Sequence, residues 1–136
     1  MDVMPESRVD GFNELIGLVW KEMSPDGAVV MVDIDPKLHQ AHGIVHGGVW
    51  CSIVEAAASV AGAMWLGDKG TCVGVSNQTN FIRAARSGTV VGTATPIHRG
   101  RTSQLWTVDV RDESGRLVAR GEVRLQNVES TDSLGR

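Results

Sequence analysis

Between Gly47 and Leu66 the chain runs for twenty residues with one charged side chain, Glu55, near the middle. Alanine, glycine and serine crowd the run: Ala56, Ala57, Ala58, Ser59, Ala61 and Gly62. It is too long for a strand and carries no proline, so it reads as a helix, closed by Gly67 as its C-terminal cap. A helix that is apolar nearly all round must be covered on most sides. A lipid bilayer is one cover that such a length permits. Glu55 at its centre and the lack of a flanking basic cluster argue against that, so we expect the buried central helix of a soluble protein, with no membrane partner.

The rest of the chain must supply the cover. Its 136 residues are enough for one domain with a sizeable core, and we expect a single domain over 1–136, with the core over about 10–127 and a loose polar tail over 128–136. A net charge of −3 points to neither nucleic acid nor an anionic surface. Cys51 and Cys72 form no CxxC pair and suit a reducing compartment. Residues 1–10 carry acidic side chains and no apolar stretch, so no secretory signal is read and a cytoplasmic location is expected.

Phe12, Leu15, Ile16 and Val19 have helical spacing, which predicts a short helix over 12–20. Residues 28–34 are β-branched and lie between Pro25-Asp26-Gly27 and Pro36, so they read as a strand. Residues 39–46 read as a loop. Four more strands are expected at 72–82, 89–98, 103–111 and 117–127, separated by short turns, with Trp106, Val108 and Val110 on one face. Short connections imply an antiparallel meander. One long helix beside one antiparallel sheet is an α+β layout. A single sheet cannot enclose the helix, so a second copy of the chain is the natural remaining cover and a homodimer is expected.

The long helix carries a stripe at 4-3-4-3 spacing: Gly48, Ser52, Glu55, Ser59 and Gly62. Its flanks hold Trp50, Ile53, Val54, Val60, Met64 and Trp65. Close packing explains glycines in such a stripe but not a carboxylate, so Glu55 is the candidate ligand-facing group, with Ser59 beside it. The helix start has free N–H groups and partial positive charge, and Gly47 and Gly48 leave them unobstructed. The Gly47 N–H is placed to polarise a carbonyl and hold a developing oxyanion; a tight loop-to-helix turn is the plainer reading of the same glycines. Gly47 and Glu55 lie roughly 12 Å apart along the axis at 1.5 Å per residue. One reacting carbonyl cannot touch both within one chain, so joint action requires two chains.

Two other chemistries are weaker. His39, His42 and His46, with Asp33 and Asp35 upstream, have metal-like spacings, but they fall in a loop with no matching second ligand pair, and no metal is expected. Cys51 sits one turn before Glu55, whose charge opposes a thiolate.

The segment 40–66, from Gln40 through His46-Gly47-Gly48 to Glu55 and on to Leu66, resembles the hotdog-fold acyl-CoA thioesterases. The branch it is most similar to holds the 4-hydroxybenzoyl-CoA, PaaI-like, and dihydroxynaphthoyl-CoA or proofreading thioesterases. The resemblance continues through 75–86, the turn at 98–103 and the hairpin at 108–121. It implies a central helix wrapped by a curved antiparallel sheet, with active sites at a dimer interface and dimers pairing into a homotetramer. By position it implies Glu55 as nucleophile or general base, and Gly47 as oxyanion donor. Gln40 and His46 would contact the thioester or shape its pocket, Ser59 would position the carboxylate or water, and Gly48 would lie against the substrate. Phe81 would line the acyl pocket. Thr102 and Ser103, with Arg83, Arg86, Arg99 and Arg101, would lie near the nucleotide phosphates. The implied reaction needs no cofactor and turns an acyl-CoA, through the resemblance an aromatic one, into free acid and CoA. A non-catalytic acyl-CoA-binding protein is the alternative on the same fold, and a hydratase a third reading that lacks its paired histidine and acid here.

Overall fold

The computed structural model describes residues 11–135; residues 1–10, where no secretory signal was read, and residue 136 lie outside the described residues. In chain order the elements are α1 (Gly11–Leu15), β1 (Leu18–Ser24), β2 (Gly27–Asp33), a 3-10 turn (Pro36–Leu38), α2 (Gly47–Leu66), a second 3-10 turn (Gly67–Lys69), β3 (Thr71–Phe81), β4 (Thr89–Arg99), β5 (Ser103–Arg111) and β6 (Leu117–Val128). All strand pairs are antiparallel, in one six-stranded sheet of order β1-β2-β4-β5-β6-β3. Helix α2 packs against all six strands.

The long helix runs over Gly47–Leu66 as expected, and Gly67 caps it at φ +59° with its N–H donating to Ala63 O. The expected helix over 12–20 is corrected. It stops at Leu15, where Gly17 turns the chain at φ +75°, and Leu18 begins a strand. Leu18 and Trp20 pair with Val32 and Val30, and this long-range ladder overrides the local helical spacing. Pro25-Asp26-Gly27 therefore closes a hairpin, with Ser24 Oγ accepting from the Asp26 N–H at 3.2 Å.

The simple meander is also corrected. β4, β5 and β6 do follow one another, but β3 lies beyond β6, in register from Thr71↔Val128 to Phe81↔Ala119. Because α2 crosses the sheet's inner face, the two strands it joins, β2 and β3, fall on different sides of that face. Residues 82–88 carry the chain back, held by Ile82 and Arg83 N–H groups on Val118 O and by the Ile34 N–H on Gly88 O.

Period-two alternation fills the inner face. Trp106, Val108 and Val110 of β5, Val123 and Leu125 of β6, and Val30 and Val32 of β2 are fully buried, facing Ile53, Val54, Ala57, Ala58 and Ala61 of α2. Each such valine or leucine contributes about 1.5–3 kcal/mol. Helix and sheet approach closely enough that a Cβ on Gly121 would lie 2.8 Å from Val54 Cγ1. Gln104 is the one buried polar side chain among the described residues. Its amide donates to Gly62 O and Asn127 Oδ1, and its oxygen accepts from Trp106 Nε1 at 2.8 Å.

Candidate active site

The stripe on α2 divides into two parts. Gly62 belongs to the packing, since a Cβ there would lie 2.4 Å from Leu125 Cδ1. Gly48 and Glu55 are exposed and Ser52 and Ser59 half-buried, on the side of α2 that the sheet leaves uncovered. The helix with the chain's most apolar run thus presents one polar face outward.

The loop before α2 is tied down by its own groups. Asp35 caps the first 3-10 turn through the Lys37 N–H. The Gln40 N–H donates to Ile44 O, Gln40 O accepts from the Gly43 N–H, and Gln40 Oε1 accepts from the His42 N–H. A His39 ring nitrogen bonds Arg86 O at 2.7 Å, and Arg86 Nη1 reaches back to His42 O and Gly43 O. The Val45 N–H donates to Ala85 O. The loop therefore delivers α2 at a fixed angle. His46 is its N-cap, with Nδ1 accepting from the Gly48 N–H at 2.8 Å. His46 O accepts from the Val49 N–H, and the Gly47 N–H has no acceptor among the described residues.

Gln40, Gly47, Trp50, Phe81 and Arg83 line one cleft of about 220 Å³ at this helix start. Phe81, 57% exposed, lies with its ring over Gly47; a Cβ on Gly47 would sit 2.3 Å from Phe81 Cε2. A side chain at 47 would require that exposed ring to move, a contact invisible in the sequence.

Glu55 and Ser59 line a separate cleft of about 490 Å³ with Cys51, Ser52, Asn77 and Phe12. The Glu55 carboxylate makes no hydrogen bond or ion pair among the described residues, and none joins it to Ser59. Across from it is Gly74 of β3, where a Cβ would stand 3.3 Å from Glu55 Oε1. Asn77 Nδ2 donates to Cys51 O at 3.0 Å, and its Oδ1 accepts from Thr79 Oγ1. Gly74, Asn77 and Phe12 were not anticipated as site residues. An isolated glycine inside a strand is a signal of close approach, and Gly74 had it.

The structure brings Gln40, Gly47, Phe81 and Arg83 together, and Glu55 with Ser59, but does not join the two groups within one chain. Gly48 and His46 engage each other at the cap. Arg101 and Thr102 border a third cleft beside Leu66, at the far end of α2, with Ser103 starting β5 next to them. Arg86, expected near phosphates, spends one guanidinium nitrogen on the loop carbonyls. Arg99 bonds Pro25 O and Asp26 and lies 5.8 and 5.9 Å from the Trp65 and Trp106 ring centres, so both are braces of the fold. Cys72 donates to Ser59 O, and burial pushes its thiol up to about 11, which removes it as a nucleophile.

A carboxylate and a backbone donor on one helix, framed by a sheet that curls round it, can be compared with known proteins. The thioesterase superfamily model matches residues 42–119. The chain belongs to the thioesterase superfamily. A Mycobacterium tuberculosis protein provisionally named an esterase is 51% identical over 122 residues, covering 88% of this chain and 87% of the relative. The solved structure of that esterase covers 87% of this chain and 96% of its own, with a TM-score of 0.85. A Listeria monocytogenes 1,4-dihydroxy-2-naphthoyl-CoA hydrolase is 32% identical, covering 79% of this chain and 88% of the relative. The structure of a Haemophilus influenzae thioesterase superposes with a TM-score of 0.84 at 30% identity, covering 88% of this chain and 84% of that one. The fold is the hotdog fold, α2 is its core helix rather than a membrane span, and the chain is a thioester hydrolase.

Proposed function

We propose that this thioesterase hydrolyses an aromatic acyl-CoA at a site assembled from two chains, with Gly47 from one and Glu55 from the other. The observation that carries it is the division of the stripe: among the described residues, an N–H without acceptor and a carboxylate without partner, on one helix, in two clefts. Each cleft supplies half of what a thioester needs. A thioester has a good leaving thiolate, so it requires carbonyl polarisation and a delivered nucleophile more than a strong acid.

The Gly47 N–H takes the first task, with the helix dipole behind it. Glu55 takes the second. As general base it removes a proton from water, whose oxygen adds to the carbonyl carbon; the tetrahedral intermediate then collapses, breaking the C–S bond to release CoA thiolate, which takes up a proton, and the free acid. As nucleophile its own oxygen adds, the C–S bond breaks to release CoA thiolate, and water then opens the anhydride. Acyl-modified Glu55 trapped by rapid quench and mass spectrometry marks the second route. Ser59, one turn on, steadies the carboxylate or its water once the partner chain closes the cleft. Gln40, Gly48 and His46 shape the thioester end. Arg83, Arg101, Thr102 and Ser103 are polar groups at the cleft rims for the nucleotide phosphates.

The name of the Listeria relative and the walls of the Gly47 cleft, Trp50 and Phe81, support an aromatic acyl group. The free cysteines, Cys51 and Cys72, support a reducing cytoplasm. The uncovered face of α2 supports a homodimer, and the resemblance extends this to a homotetramer, which sedimentation measurements check. The test of function is thiol release by wild type and Glu55→Gln from a panel of aromatic and aliphatic acyl-CoAs. Release by wild type and its loss in Glu55→Gln, with ester binding kept, supports the reading. Binding without release by wild type would instead mark an acyl-CoA-binding protein.

A further inference from the structure

The geometry points to Phe12, on α1, as the residue that sets acyl-group specificity at the Glu55 cleft. The inference rests on the reading of Glu55 as the group that meets the thioester carbonyl. From that carbonyl the acyl group must extend along one wall or another of the cleft. The helix wall, from Ser52 through Glu55 and Ala56 to Ser59, is small or polar, and the β3 wall contributes Asn77, whose amide is bound to Cys51 O. Phe12 is the large apolar side chain on this cleft. It is 61% exposed in one chain, on a helix of five residues that buries none of its own side chains.

An aromatic ring left that open, on the same cleft as a carboxylate without a partner among the described residues, offers apolar surface to whatever lies against Glu55. A cleft of about 490 Å³ is within the range of small-molecule sites, which run to roughly 300–1,000 Å³. The occupant we assign is the acyl group itself, held between Phe12 of one chain and the Phe81 side of the partner's Gly47 cleft. Ring-on-ring contact favours an aromatic acyl group there, and a short aliphatic one gains little from it. Leu15, three residues on and 68% exposed, does not line the cleft and serves as the control.

Phe12→Ala, Phe12→Leu and Leu15→Ala would be compared with wild type on acetyl-, butyryl-, benzoyl- and naphthoyl-CoA. Thiol release would be measured for each ester, and binding calorimetry would be run with every variant in a Glu55→Gln background. We expect Phe12→Ala to lower kcat/KM for the aromatic esters about tenfold or more while acetyl-CoA changes less than about twofold, Phe12→Leu to fall between, and Leu15→Ala to match wild type. Equal losses on all four esters, or the same profile from Leu15→Ala, would overturn the assignment, because α1 would then be packing against a partner chain. The calorimetry separates the two readings. If wild type releases no thiol but aromatic binding still depends on Phe12, hydrolysis fails and the Phe12 assignment stands. If thiol is released and Phe12→Ala binds every ester as wild type does, hydrolysis stands and the Phe12 assignment fails.

Discussion

The two clefts on α2 are built in opposite ways. The one at Gly47 is made of backbone and braced from within: His46 caps the helix, Gln40 folds the loop on itself, and Arg86 and His39 tie it to residues 82–88. The one at Glu55 rests on a side chain that none of the described residues holds by a hydrogen bond or ion pair. The first half of the site is organised before any partner arrives. In the proposed site, the second would be completed by the partner chain that covers the open face of the helix. That asymmetry supports the proposed dimer, in which each chain would contribute one braced half and one open half.

Removing either of the proposed reacting groups gives the largest expected effects. Glu55→Gln keeps the shape of the open cleft and should lower kcat by about 10²–10⁴-fold, read by thiol release, with the circular dichroism spectrum unchanged. Gly47→Pro deletes the braced donor with little harm to the helix. Position 47 is the first helical residue, where proline is tolerated, and His46 before it is already extended at φ −62°, ψ 134°. Phe81 must swing aside, which its exposure allows. Loss of one oxyanion donor should lower kcat by about 10²–10³-fold.

Bracing is tested next. Arg86→Ala frees the loop carbonyls while leaving Gly47 and Glu55 in place. We expect kcat to fall about three- to tenfold and the temperature factors or amide exchange of 39–46 to rise, with the Glu55 cleft unaffected. Gln104→Leu touches neither cleft. It strands Trp106 Nε1 in the interior and takes a partner from half-buried Asn127, and should cost about 1–3 kcal/mol in urea unfolding while kcat stays within about twofold.

The smallest effect lies on the outer sheet face. The hydrogen bond from Arg120, at 2.6 Å, holds the Asp109 carboxyl below its ordinary range, with the charges of Arg120 and Arg111 adding to it. A carboxyl depressed on folding stabilises the native state above its unfolded pKa, and that stabilisation is lost as pH falls through the folded value. Arg120→Ala should therefore lower Tm slightly at neutral pH and not at all in strong acid. High salt should erase the difference, because the pair is largely exposed.

How much of this was legible depended on how local each signal was. Helix α2 was readable to the residue, because one apolar run ends in a glycine cap. Strand β1 was not: Leu18, Val19 and Trp20 fit a helix as well as a strand, and only pairing with Val32 and Val30 decides. The placement of β3 beside β6 was hidden for the same reason, and with it the approach of Gly74 to Glu55 and of Asn77 to Cys51, although the lone glycine in β3 hinted at a close contact. Gly47 and Glu55 stood out because one lies at a loop-to-helix junction and the other is a lone charge in apolar surroundings. Arg86 was legible as a charge near a strand end, and the loop carbonyls that its Nη1 bonds were not. Phe12 was legible only as part of a helical spacing, which predicted a helix about one turn longer than the one that forms.

Subunit complementation tests the shared site most directly. Gly47→Pro and Glu55→Gln chains, each nearly inactive alone, are unfolded together, refolded at equal concentration and assayed for thiol release. If Gly47 and Glu55 of different chains form each site, half the dimers are mixed and each of those has one intact site, so about a quarter of wild-type activity should return. If both groups act from the same chain, no mixed dimer has an intact site, and activity that stays at the level of the separate variants would contradict the two-chain site.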